Sequence, residues 1–236
     1  MVWEAKSLRE LLFLLIGYDY GLEPEKQLDK IRKDKERVAQ RAISELHLKS
    51  TDVVADLGSG MGFVAKYIAL HVKHVYCCDI SKSFLEFAVC ECSGAPNISF
   101  VEINSEDLTP LYSEGKLDAL FSHAVFIHLN LFQIFFYFEQ FKKIIKPGGR
   151  VMINIVSAET LDPKQDKYFL QMMQQYKNAP KDRDSLMQWN SPHGVIAVAR
   201  YFNFVLSSKK GNELIFTNNT KEAKSKQYFK PLNKRI

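Results

Sequence analysis

Two carboxylates and a run of glycines stand where this chain could do chemistry. Asp56-Leu57-Gly58-Ser59-Gly60-Met61-Gly62 joins an apolar run to a stretch with helical spacing. Glycines let a backbone approach a ligand closely and take positive φ in a tight turn. The N-terminus of the helix that follows favours negative groups. The spacing is Gly-x-Gly-x-Gly, and Phe63 stands where the dinucleotide pattern GxGxxG would close on glycine. Asp56, just ahead of the turn, would repel a pyrophosphate and suits a ligand that carries an ammonium group. Asp79 ends the next apolar run, where a carboxylate can accept from both hydroxyls of a ribose. A bare structural turn would explain any one glycine, and a helix dipole would explain Asp56. Neither explains both acids together.

The elements around these residues alternate. Val53 to Leu57 reads as a buried strand and residues 63–71 as a helix. His74 to Asp79 reads as a second strand and 83–91 as its helix. Strands follow at 98–103 and 117–122, then an aromatic-rich helix at 131–145. Pro147-Gly148-Gly149 turns into a fifth strand at 150–155. Alternation of this kind implies right-handed crossovers and a parallel sheet. Asp162-Pro163 and Ser191-Pro192 each signal a helix start, the first opening a segment with Tyr168, Phe169, Met172, Met173 and Tyr176. The runs at 204–206 and 214–216 form a hairpin turning at 209–212. Ahead of the sheet, residues 1–20 and 24–47 read as amphipathic helices.

The chain has 236 residues, with 46% hydrophobic and 25% charged side chains, which is globular usage. The apolar run at 11–16 is six residues long, about 9 Å as helix, too short to cross a ~30 Å hydrocarbon core. No small-residue cleavage site follows it, so no secretory signal is expected. Cys77, Cys78, Cys90 and Cys92 form no CxxC pair, and free thiols in a reducing cytoplasm are the simplest expectation. The net charge of +5 belongs to residues 221–236, which hold six basic residues against Glu222. The remaining residues are neutral overall. A nucleic-acid enzyme carries its basic footprint on the folded domain, so this distribution argues for a solvated tail instead.

The same segments resemble the class I S-adenosylmethionine-dependent methyltransferases, well over residues 35–156 and in outline elsewhere. VVADLGSGMG is similar to the family's first motif, which implies contact with the methionine moiety of the cofactor by Asp56 and the backbone of Gly58 and Gly60, with Ser59 and Gly62 also in the cofactor site. Asp79 matches the ribose-binding acid, with Ile80 flanking the adenine. Asn104-Ser105-Glu106 resembles the adenine-edge segment, an amide standing where an aspartate is common. Asp118 to His123 matches the fourth-strand motif that floors the cofactor, bringing in Ser122. Ile144 to Arg150 resembles the Leu-Lys-Pro-Gly-Gly turn before the fifth strand. The resemblance implies one Rossmann-like α/β domain over 1–220, with seven strands in the order 3-2-1-4-5-7-6 and the last antiparallel. A helical lid and first helix would occupy 1–47, and an acceptor-side insertion would follow the fifth strand at 157–190. It implies S-adenosylmethionine as cofactor and S-adenosylhomocysteine as product.

Several subclasses are excluded by what stands at the fourth strand. Ser122-His123-Ala124-Val125 replaces the Asn/Asp-Pro-Pro-Tyr/Phe of amino-methylating nucleic-acid enzymes, and no Pro-Cys nucleophile occurs. A small-molecule acceptor is therefore expected, with O-methylation leading. N-methylation of an amine, or an RNA or protein acceptor docked by the tail, are the alternatives. The base for a hydroxyl would be His123 at the strand's end, His193 at a helix start, or His128, which matches a histidine common in this family segment. Plain packing is an alternative for each. With an ordinary imidazole as base, the pH profile should bend near 6–7. Tyr18, Tyr20 and Trp189 would wall the acceptor. His71 and His74 have the HxxH spacing but no third ligand, so no metal is expected.

Overall fold

The computed structural model describes residues 6–16, 23–112, 116–157 and 187–219, with helical positions 167, 170, 171, 173, 174, 177 and 178 between the last two. Tyr18, Tyr20, Tyr168, Phe169, Met172, Tyr176, most of the 157–190 segment and the tail lie outside the described residues. Seven strands form one sheet: β1 Val53–Leu57, β2 His74–Asp79, β3 Ile98–Glu102, β4 Leu117–Phe121, β5 Ile145–Asn154, β6 Phe204–Lys210 and β7 Glu213–Asn218. Their order is β3-β2-β1-β4-β5-β7-β6. The first five run parallel, and β7 is antiparallel to both β5 and β6. That is the expected topology.

Helices cover both faces: α1 Leu8–Ile16, α2 Pro24–Glu45, α3 Phe63–Ile68, α4 Lys82–Glu91, α5 Leu131–Ile144 and α6 Pro192–Tyr201. Successive strand residues point to opposite faces, so adjacent side chains enter different cores. Leu120, Val151 and Phe216 pack under Phe138, Phe141 and Val195 of α5 and α6. Their neighbours Phe121, Met152 and Ile215 pack under Ala42, Val64 and Ile68 of α2 and α3. Burial on both faces is why these strands read as unbroken apolar runs. Leu11 and Leu12 of α1 pack against Leu28 and Ile31 of α2 and against Met61 and Phe63 beside the glycine turn. No helix among the described residues is long and apolar enough to cross a membrane.

Three of the boundaries that differ from the expectation have a local cause. Helix α4 starts at Lys82 because Ser81 caps it, its hydroxyl accepting from the Phe84 N–H at 3.3 Å. Helix α3 stops at Ile68 because Leu70 and His71 bond three residues back, a tighter turn than the α-helix. Strand β5 begins at Ile145, ahead of Pro147-Gly148-Gly149. Leu117 pairs with Ile145 and Ala119 with Arg150, so the extra residues form an irregularity inside the strand. Gly148 takes φ +79 within it.

Candidate active site

The carboxyl ends of β1, β2 and β4 meet at the glycine turn. Gly58 and Ser59 donate their N–H groups to the Cys78 carbonyl at 2.7 and 3.0 Å, clipping the turn to β2. Gly58, Gly60 and Gly62 all take positive φ (+70, +55 and +77), which glycine alone adopts without strain. Close packing adds a second requirement. A Cβ on Gly58 would lie 2.0 Å from Val125 Cγ2, and one on Gly62 would lie 2.9 Å from both Ala88 Cβ and Cys92 Sγ. Ser59 sets its hydroxyl beside the Cys77 thiol.

Asp79 is buried, and both its oxygens already hold backbone. Oδ2 accepts from Gly60 N–H at 2.7 Å and Oδ1 from Ser81 N–H at 2.9 Å. A carboxylate oxygen has two acceptor sites, and these two bonds orient the group at the turn. Asp56 is buried beneath the turn, and its Oδ2 has no hydrogen-bond partner among the described residues. Burial pushes its pKa up to about 7; Lys35 and the Ala65 N–H oppose that rise and Asp79 adds to it. A buried carboxyl with an unanswered oxygen is matched by a ligand ammonium, and three left-handed glycines give such a ligand room. The residues present therefore fit S-adenosylmethionine, which carries both an ammonium group and a ribose diol.

The remaining expected cofactor residues ring this centre. Ser122 is buried and donates its hydroxyl to the Leu57 carbonyl at 2.8 Å, tying β4 to β1 under the site. Ile80 is half-buried against the core that includes Tyr76 and Ile103. Asn104 pairs with Asp107 in a tight turn, where Ser105 takes φ +51 and bonds the Glu106 carboxylate. Tyr137 of α5 holds that turn by donating to the Ser105 carbonyl at 2.9 Å.

The histidines separate. His123 is half-buried, stacked on Phe121 with ring centroids 6.3 Å apart. Burial first, then the positive charges of Lys35 and Arg41, lower its pKa to about 4. This corrects the expected bend near pH 6–7: the ring is neutral throughout that range. His128 is half-buried in the loop after β4. His193 is exposed on the first turn of α6. Trp189 is half-buried and pairs with Val156 beyond β5, which brings the start of α6 to the same edge of the sheet. Lys35, Arg41 and Asn154 were not singled out by sequence. Lys35 had a signal, a charge inside the apolar stripe of α2; Arg41 and Asn154 had none.

Comparison with known proteins agrees with this geometry. Residues 55–153 match the family model described as a methyltransferase domain. The phosphoethanolamine N-methyltransferase of Plasmodium falciparum is 29% identical over 147 residues, 58% of this chain and 54% of that protein. The chain thus spans about half the length of that curated relative. Magnesium protoporphyrin IX methyltransferase from Synechocystis, solved with SAH bound, superposes with a TM-score of 0.60 at 14% identity, covering 89% of this chain and 91% of that one. Geranyl diphosphate C-methyltransferase from Streptomyces coelicolor gives 0.61 at 13% identity, covering 86% of each chain. At such identities the structural matches establish the fold.

Proposed function

We propose, from the premise that residues 55–153 belong to the methyltransferase-domain family, that this chain transfers a methyl group from S-adenosylmethionine to an oxygen of a small-molecule acceptor. The observation that carries the reading is the pair of buried acids, Asp56 with its unanswered Oδ2 and Asp79 bonded to the turn, on either side of three left-handed glycines. Bound there, the cofactor supplies an electrophilic methyl on a sulfonium whose sulfur keeps the bonding pair. Asp56 holds the amino end, Asp79 the ribose hydroxyls, and the floor at Ser122 keeps the β1 and β4 ends together. Asn104, Ser105 and Glu106 edge the adenine, beside Ile80.

His123 takes the acceptor's proton. A hydroxyl becomes strongly acidic as its oxygen takes on a third bond and with it positive charge, so a neutral imidazole with a pKa of about 4 is basic enough late in the transfer. His193 and His128 are the alternative bases, and Tyr18, Tyr20 and Trp189 the acceptor's walls. The similarity to a phosphoethanolamine N-methyltransferase favours a second reading, transfer to an amine nitrogen, which needs no base once the amine is neutral.

Calorimetry with S-adenosylhomocysteine tests the cofactor site directly. Asp79→Ala removes two charge-assisted bonds to the diol and should weaken binding by on the order of 2–4 kcal/mol. Because the carboxylate also holds Gly60 and Ser81, Asp79→Asn serves as the variant that keeps a side-chain acceptor at the turn. Unchanged affinity in both variants would remove Asp79 from the site. Release of S-adenosylhomocysteine across hydroxyl and amine acceptors then separates the two readings.

A further inference from the structure

Helix α2 carries a lysine where its face should be apolar. Leu28, Ile31, Ala39 and Ala42 are its buried stripe, at the spacing of one helical face. Lys35 falls on that stripe, four residues after Ile31 and four before Ala39, and is half-buried. The stripe serves two cores. Leu28 and Ile31 pack with Met61 and Phe63 at the glycine turn, and Ala39 and Ala42 pack with Val64, Ala65 and Ile68 of α3. Lys35 enters at the seam between them, beside the turn. Asp56 and Asp34 are the acids whose charge it feels, and its own charge reaches His123. Among the described residues its ammonium has no ion-pair or hydrogen-bond partner.

The neighbouring cation differs. Arg41 pairs with Glu213 at 2.7 Å, and Glu213 faces Asn154 across the β5–β7 ladder. Asn154 accepts the Ala124 N–H at 2.7 Å, next to His123. Arg41 therefore reaches the same edge with its charge already answered. Lys35 faces an acid that a bound cofactor's ammonium would claim, which leaves a half-buried cation with no fixed counter-charge. Such a group is costly unless a ligand supplies the anion.

We infer that Lys35 holds the anionic group, a carboxylate or phosphate, of an acidic acceptor on the His123 side of the cleft. The assignment rests on the methyl-transfer reading and adds to it the class of acceptor. The competing source of the same chemistry is the carboxylate of the cofactor itself.

Titration calorimetry separates the two. Inorganic phosphate and acetate are titrated into wild-type protein saturated with S-adenosylhomocysteine, into Lys35→Met, and into Lys33→Met as an exposed control. Methionine suits an apolar stripe, so the fold is kept. Phosphate or acetate should bind the wild-type complex and lose about tenfold or more in affinity in Lys35→Met, with Lys33→Met unchanged. The affinity of Lys35→Met for S-adenosylhomocysteine should stay within about threefold of wild type. A tenfold loss of that affinity would assign Lys35 to the cofactor and overturn the proposal. So would equal anion binding in Lys35→Met, or none in wild type. If wild type binds no S-adenosylhomocysteine, the methyl-transfer reading fails by itself. The anion titration of ligand-free protein then decides Lys35 on the same tenfold criterion.

Discussion

Burial drives two groups at the sheet edge in opposite directions. Asp56 is raised from 3.8 to about 7, and His123 is lowered from 6.5 to about 4. For Asp56 the folded protein holds the proton more tightly than the unfolded chain. Its contribution to stability is complete below pH 3.8 and is lost as the pH rises through 7. Asp56→Asn should therefore raise the melting temperature of the ligand-free protein at pH 8 and raise it less at pH 5. It should also weaken S-adenosylhomocysteine binding, and equal shifts at both pH values would show that the carboxyl's pKa is not raised in the folded protein. For His123 the sign reverses: the neutral ring's contribution is whole above pH 6.5 and is lost as the pH falls toward 4. With a hydroxyl acceptor, His123→Ala should slow turnover by ~10²–10⁴-fold. The wild-type acid limb should stand near pH 4 and vanish in the variant. Normal turnover in both His123→Ala and His193→Ala would point to an amine acceptor. Asp56 and Asp79 were legible as residues because each is fixed by its own strand end. The raised pKa of Asp56 was not legible, because it comes from burial first and then from Lys35, which stands 21 residues earlier in the chain.

At the scale of elements, the glycine turn is held by what packs on it. Gly58 combines φ +70 with Val125 Cγ2 at 2.0 Å from a Cβ, whereas Gly148, at φ +79 in the β5 irregularity, has nothing within 4 Å. Gly58→Ala should cost on the order of 2–4 kcal/mol and Gly148→Ala about 1 kcal/mol, the backbone strain alone. Urea unfolding of the two variants measures the difference, and equal losses would mean that Val125 yields freely. Helix α2 is fastened to its neighbours by Glu91, which bonds Arg32 at 2.8 Å and Lys66 at 3.0 Å. Hydrogen bonding from Arg32 and Lys66 outweighs burial and lowers the Glu91 pKa. That junction joins α2, α3 and α4 over the turn, which keeps Lys35 beside the site. The positions of the strands were readable, and so was the Ser191-Pro192 start of α6. The early start of β5 was not, because Pro147-Gly148-Gly149 signals a turn locally and only pairing of Ile145 with Leu117 draws the segment into the sheet.

For the whole molecule, the sheet is closed before the basic tail begins. Asn218 donates to the carbonyls of Ile145 and Lys146 and accepts from Lys142, and Asn219 N–H bonds the Asn203 carbonyl. Truncation after Asn219 should leave the melting temperature within about 2 °C of wild type and leave S-adenosylhomocysteine binding unchanged. A fall of about 10 °C would place Tyr228 and Phe229 in the core. The parallel strands, the closing hairpin and the glycine turn between two acids were determined by the sequence itself, because hydrophobic period and turn chemistry belong to adjacent residues. The order of the seven strands came with the family resemblance that those motifs carry. Tertiary structure alone decided the neutrality of His123, the raised carboxyl of Asp56 and the arrival of Lys35 at the seam. Each of these depends on burial and on charges brought together from α2, β1 and β4, which lie far apart along the chain.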